Sequence, residues 1–134
     1  MAKLIKVNVA DAELLLYFSV AGLLKLAERF GEKGTIAAIW AAIVPKDENE
    51  LLTAEVQQNV LTVAAELIVG GAEYQRVNGE DVQRTYTAET LAAIINVPEY
   101  FTLYGAVVAA LQQGLYRTVE SEPDQKKAET TQGI

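Results

Sequence analysis

From Thr53 onward the apolar residues Val56, Val60, Val63, Ala64, Leu67 and Ile68 recur at intervals of three and four. That period places all six on one stripe of an α-helix and excludes a strand, whose side chains alternate every second residue. Thr53 stands where an N-cap belongs, and Glu55 falls in the first turn, where the helix dipole favours an anion. The stripe runs up to Gly70-Gly71. It is the strongest helical signal in the chain and sets helix packing as the frame for the other segments.

The flanking segments add short pieces. KLIKVNV, Lys3 to Val9, alternates as a strand with Leu4, Val7 and Val9 as candidates for its inward side, and Ala10-Asp11-Ala12 follows as a turn. LLLYF, from Leu14, fits either a second, paired strand or the first turn of the helix that occupies Val20 to Phe30. On that helix Leu23, Leu26, Ala27 and Phe30 share a stripe, Ser19 reads as a cap, and Gly31 is placed as a left-handed C-cap. Thr35 caps a further helix carrying Ile36, Ile39, Trp40 and Ile43, which Pro45 ends before the polar loop KDENE.

Beyond Gly71 the dipeptide Asn78-Gly79, flanked by Tyr74 and Tyr86, is the signal of a type I′ hairpin. An irregular loop is the alternative, because Arg76, Glu80, Asp81 and Arg84 dilute the alternation. Thr87 leads a short helix through Leu91, Ile94 and Ile95, and Pro98 sits in the first turn of the last helix, where its missing N–H costs nothing. There Phe101, Tyr104, Val108, Leu111 and Leu115 alternate at three and four, an a/d seam that serves equally as one face of an intramolecular bundle or as a surface for another helix. From Val119 the chain lacks the apolar content to fold. The expected architecture is mainly α: a helical domain over residues 1–118 with about five helices and a short N-terminal strand or hairpin, then a disordered acidic tail over 119–134.

Composition narrows the function. The 134 residues hold 11 Lys and Arg against 18 Asp and Glu, a formal net charge of −7, which argues against binding a polyanion such as nucleic acid. Neither Cys nor His is present, so thiolate and imidazole chemistry are both absent. The two serines, Ser19 and Ser121, therefore have no imidazole base to activate them. Glu28 and Glu32 read as a solvated helix end, and Asp47-Glu48-Asn49-Glu50 fails as a calcium loop because Leu51 and Leu52 stand where a ligand and a glycine belong. No catalytic, cofactor or metal site is expected.

The uncharged runs Leu14 to Leu24 and Thr35 to Pro45 are too short to span a bilayer, and Tyr100 to Tyr116 is interrupted by Gly105, Gln112 and Gln113. No membrane partner is expected. Trp40, Tyr100, Phe101 and Tyr104 read as core packing in preference to a stacking platform. Yet with 51% hydrophobic residues the chain is apolar for one that stands alone in water, and some of that surface has a protein partner as its natural destination.

The order of elements resembles the tail assembly chaperones of long-tailed bacteriophages. The likeness is carried by LLLYFSVAGLLKLAERFGE, a β-like apolar start followed by a helix and a closing Gly. It is carried also by YTAETLAAIINVPEYFTLYGAVVAALQQGL, a Thr-led short helix followed by an Ala/Leu-rich long one. The resemblance implies a non-enzymatic protein of the host cytoplasm, absent from the mature virion, that coats the helical tape measure protein before tail tube polymerisation and acts in several copies. Contact with that client or between subunits is then expected from Phe101, Tyr104, Val108, Leu111 and Leu115, and secondly from the Leu14 to Phe18 segment, with Leu14, Leu16 and Phe18 foremost. A small helical adaptor or immunity-type protein that grips one compact partner is the alternative.

Overall fold

A computed structural model describes residues 4–30 and 36–120. The fold is mainly α. An antiparallel hairpin of β1 (Ile5–Val9) and β2 (Ala12–Leu16) precedes five α-helices among the described residues: α1 (Val20–Arg29), α2 (Ile36–Ile43), α3 (Ala54–Val77), α4 (Ala88–Ile94) and α5 (Val97–Glu120). A 3-10 helix, Glu48–Leu52, replaces the expected loop between α2 and α3; Asp47 caps it by accepting from the Asn49 N–H at 3.0 Å.

LLLYF thus belongs mainly to the second strand, which pairs Ile5 with Leu16 and Val9 with Ala12. The two-residue turn between the strands has φ of 52° at Ala10 and 60° at Asp11, the two positive values a type I′ turn requires. Asp tolerates that conformation; Ala does not readily. The Ala10 N–H donates to the Glu99 carboxylate of α5 at 2.9 Å, a contact that pins the turn.

The central helix is α3, which packs against β2, the other helices and the 3-10 turn, while α5 packs chiefly on β1. Its cap is as expected: the Thr53 hydroxyl accepts from the Val56 N–H. Its end is not. The helix passes through Gly70-Gly71 and continues to Val77, and of the two readings of the Asn78-Gly79 region the hairpin is absent and the irregular segment is present, from Glu80 to Thr87. Gly79, at φ 71°, instead closes α3 in a Schellman motif: its N–H donates to the Arg76 carbonyl at 3.2 Å and that of Glu80 to Gln75 at 2.9 Å. An Asn-Gly pair supplies left-handed backbone to a helix end as readily as to a hairpin, and the flanking charges left no second strand to pair.

Gly70 and Gly71 face β2. A Cβ on Gly71 would overlap the Leu15 carbonyl oxygen, and one on Gly70 the Tyr17 carbonyl oxygen. Strand and helix therefore touch backbone to backbone, and the Tyr17 N–H donates to the Leu67 carbonyl at 3.0 Å. Gln83, in the extended segment after α3, completes the junction. Its Oε1 accepts from the Leu15 N–H at 2.7 Å, and its Nε2 donates to the carbonyls of Leu15 and Ile68, each at 2.9 Å. One side-chain amide thereby takes both outward main-chain groups of Leu15, as a neighbouring strand would. Gln83→Ala is expected to cost about 2–3 kcal/mol in urea unfolding, since it strands a partly buried donor and acceptor. Gln83→Glu should cost more, its carboxylate facing two carbonyls with no proton to give them.

The last helix opens with a capping box. The Asn96 side chain accepts from the Glu99 N–H at 2.9 Å while the Glu99 carboxylate accepts from the Asn96 N–H at 3.0 Å. These N–H groups, Asn96 first and Ala10 second, hold the Glu99 pKa below its ordinary value of 4.5. A carboxyl with a lower pKa folded than unfolded stabilises the fold above its unfolded pKa and loses that contribution as pH falls through the folded value. Glu99→Gln should accordingly start less stable at pH 7 and lose less than the parent on acidification below pH 4.5, as read by urea midpoints across the range.

The core gathers Val7, Val9, Leu14 and Leu16 of the hairpin, Leu26 of α1, Ile39 and Ile43 of α2, the α3 stripe, Leu91 of α4 and one side of α5. Ser19 caps α1 as expected, accepting from the Gly22 N–H at 3.0 Å, and Thr87 caps α4 by accepting from the Thr90 N–H at 3.1 Å. The caps expected at Gly31 and Thr35 lie outside the described residues, as does the tail from 121; α5 itself runs on to Glu120.

Candidate interaction surface

The last helix contributes Tyr100, Leu103, Val107, Ala110 and Leu111 to the core. This stripe runs one residue N-terminal to the expected seam at its first three positions, a rotation of about 100° around the helix. The seam residues split accordingly. Phe101 is 42% exposed, Tyr104 and Val108 are half-buried at the margin of the core, and Leu111 is only 1% exposed. Leu115 lies in the helix, but its side chain is outside the described residues.

Val97, 58% exposed, extends the Phe101, Tyr104 and Val108 positions by one turn toward the N-terminus and keeps their alternating spacing. Ile94, also exposed, ends α4 three residues earlier. An apolar stripe therefore flanks the core along the first half of α5. Neither Val97 nor Ile94 was expected there: Val97 precedes Pro98, which marks a helix start, and Ile94 read as part of the short helix led by Thr87. The spacing of Val97 to Phe101 was the available signal.

Burial shapes the polar chemistry of this region. Tyr100 is almost wholly covered, and its hydroxyl donates to the Leu51 carbonyl at 2.8 Å. Desolvation, with a smaller contribution from Tyr104, pushes its pKa up to about 12. The Tyr104 phenol is also raised by burial. The Tyr100 and Phe101 rings meet edge to face, 5.6 Å apart, so Tyr100 anchors the helix while supporting the exposed ring beside it.

The N-terminal segment behaves differently from expectation. Leu14 and Leu16 are each 2% exposed, enclosed in the core, and present no surface to a partner. The reason is the strand pairing itself: it places both side chains on the face of the hairpin that the helices cover. Phe18 is half-buried against the same core. Partner contact from this segment is thus corrected to Phe18 at most, and Leu111 is likewise removed from the contact surface.

A concavity of about 740 Å³ lies between α3 and the segment from Thr85 to Ala92. Leu61, Ala65 and Val69, four residues apart on α3, line it, with Arg29, Glu66 and Glu89 among its polar members. The remaining candidate groups are dispersed. Glu28 lies on α1 and Glu32 outside the described residues, and Asp47 is occupied as a cap. Among the described residues no cluster of three or more metal-ligating side chains is present, and no helix is long and apolar enough to cross a membrane.

Comparison with family models, with curated proteins and with solved structures gives no match to this chain.

Proposed function

We propose that this protein is a non-enzymatic tail assembly chaperone of a long-tailed bacteriophage, which binds the helical tape measure protein and keeps it soluble in the host cytoplasm until tail tube polymerisation. The observation that carries this reading is the apolar stripe along the margin of α5, where exposed Val97 and Phe101 are continued by half-buried Tyr104 and Val108 beside a core side that is already filled. A stripe with alternating spacing of three and four is the shape that an amphipathic helix accepts in helix-to-helix docking. A formal charge of −7 keeps the chaperone soluble while that stripe is uncovered.

Co-expression with a central helical segment of a tape measure protein from the same genome tests the reading. Affinity capture followed by light scattering should recover soluble client carrying several copies of this protein. A client that stays insoluble beside well-folded chaperone sinks the proposal, and tight one-to-one capture of a compact protein would replace it with the adaptor.

A further inference from the structure

The Asn78-Gly79 pair that closes α3 carries a chemistry its structural role does not use. Of the other asparagines, Asn8, Asn59 and Asn96 precede valine and Asn49 precedes glutamate. Among the residues that follow an asparagine only Gly79 lacks a Cβ, so its main-chain nitrogen is the one that can close freely on the side-chain carbonyl carbon before it. In the folded chain three features hold those two atoms apart. The Asn78 Nδ2 donates to the Tyr74 carbonyl at 2.8 Å, which turns the side chain back along α3. The Gly79 N–H is occupied by the Arg76 carbonyl at 3.2 Å. At ψ 9° the Gly79 nitrogen nearly eclipses the main-chain nitrogen of Asn78, about a third of a turn from the Cβ it must approach. Rotating ψ to bring the two together breaks the cap.

The cap is placed to open. Arg76, Val77, Asn78, Gly79 and Glu80 are all exposed, and the ion pair of this turn, Glu73 with Arg76, lies at the surface. Just beyond, the chain is fastened again: the Gln83 N–H donates to the Gln75 Oε1 at 2.8 Å, and the Gln83 amide clasps Leu15. Residues 76–82 can therefore fray and close while the core and the clasp stay in place. We propose that Asn78 is a site of spontaneous deamidation, gated by this fraying. In the open state the Gly79 N–H gives its proton to solvent hydroxide, and the nitrogen attacks the Asn78 Cγ to form the C–N bond of a succinimide. The Cγ–Nδ2 bond breaks, and Nδ2 leaves as ammonia with a proton from water. Water then opens the ring at either carbonyl, giving aspartate or isoaspartate. One water is consumed and one ammonia released, with no change of oxidation state. The new carboxylate meets the Tyr74 carbonyl and the negative end of the α3 dipole, and the isoaspartyl form adds a methylene to the main chain of the cap. Both products favour the open turn. The reaction is independent of which client the α5 stripe takes.

Incubation of the full chain in mildly alkaline buffer, folded and unfolded in guanidinium chloride, tests this. Trypsin releases the peptide Val77 to Arg84, in which Asn78 is the sole asparagine. Mass spectrometry of that peptide, with isoaspartate separated by chromatography, follows the site. The folded chain is expected to react at Asn78 ahead of the other asparagines, to give both products, and to do so about tenfold or more slowly than the unfolded chain. Gly79→Ala should slow the unfolded reaction, because the new Cβ crowds the attacking nitrogen. It should also narrow the gap between folded and unfolded rates, since alanine strains the cap at φ 71°. An Asn78 that stays intact in the folded chain after reacting fully in the unfolded one overturns the site. Equal rates in the two states, or a gap that Gly79→Ala leaves unchanged, overturn the gating. Aspartate without isoaspartate overturns the succinimide route.

Discussion

Gly71→Ala is expected to destabilise the fold by about 3–4 kcal/mol, although alanine is the better helix former by about 1 kcal/mol. The new methyl falls on the carbonyl oxygen of Leu15, and a backbone atom cannot swing aside as a side chain would. β2 must retreat from α3. Overpacking of this kind costs about 1–3 kcal/mol by itself. The retreat also lengthens the Tyr17 to Leu67 hydrogen bond and loosens the Gln83 clasp, contacts worth about 1 kcal/mol apiece. Against a typical total of about 5–15 kcal/mol this is a large fraction, and the melting temperature should fall by about 10 °C. Gly105 provides the control: it is exposed on α5 and a Cβ there meets nothing within 4 Å. Gly105→Ala should raise stability by about 0.5–1 kcal/mol. Equal responses from Gly71→Ala and Gly105→Ala in thermal unfolding would show that helix and strand do not touch at Gly71.

These glycines show why local reading stops where it does. Periodicity and caps locate α3, α1, α4 and α5, because those signals are written within a few residues of where they act. Gly70-Gly71 reads as a terminator by the same local logic. Their actual role, admitting a strand against the helix, depends on Leu15 and Tyr17, more than fifty residues away in the chain. Gln83 is a still plainer case. Nothing in its neighbourhood distinguishes it from Gln57 or Gln75, and its importance exists only once β2 lies beside the C-terminal half of α3. Ala10 is similar: left-handed backbone at an alanine has no sequence signature, and the carboxylate that holds it belongs to α5.

The hairpin illustrates a competition that composition cannot decide. LLLYF carries enough apolar residues for a helix turn or a strand, and the outcome follows from the partner strand and the turn between them. Once paired, Leu14 and Leu16 face the helices while the main chain of Leu15 meets Gln83, so the segment is used up in the core.

The seam on α5 offers the sharpest separation of core from surface, since two of its members a few turns apart should respond oppositely to the same substitution. Leu111→Lys replaces a side chain that is 1% exposed with an ammonium group. The loss of leucine burial, about 2 kcal/mol or more, adds to the cost of a desolvated charge with no carboxylate on the adjoining core faces, all of which are apolar. A total of about 4–5 kcal/mol or more is expected, enough to leave much of the population unfolded in urea-free buffer if the parent lies at the lower end of ordinary stability. Phe101→Lys places the same charge at a position 42% exposed, where the lysine stem can lie along the surface and its head reach water. It should cost about 1 kcal/mol and preserve the helical circular dichroism signal, while removing the aromatic anchor of the stripe and, on the proposed function, capture of a helical client. The contrast depends on which way α5 is turned about its own axis. Were the whole seam core, Phe101→Lys would unfold the protein as Leu111→Lys does, and were it all interface, both variants would fold and both would lose the client.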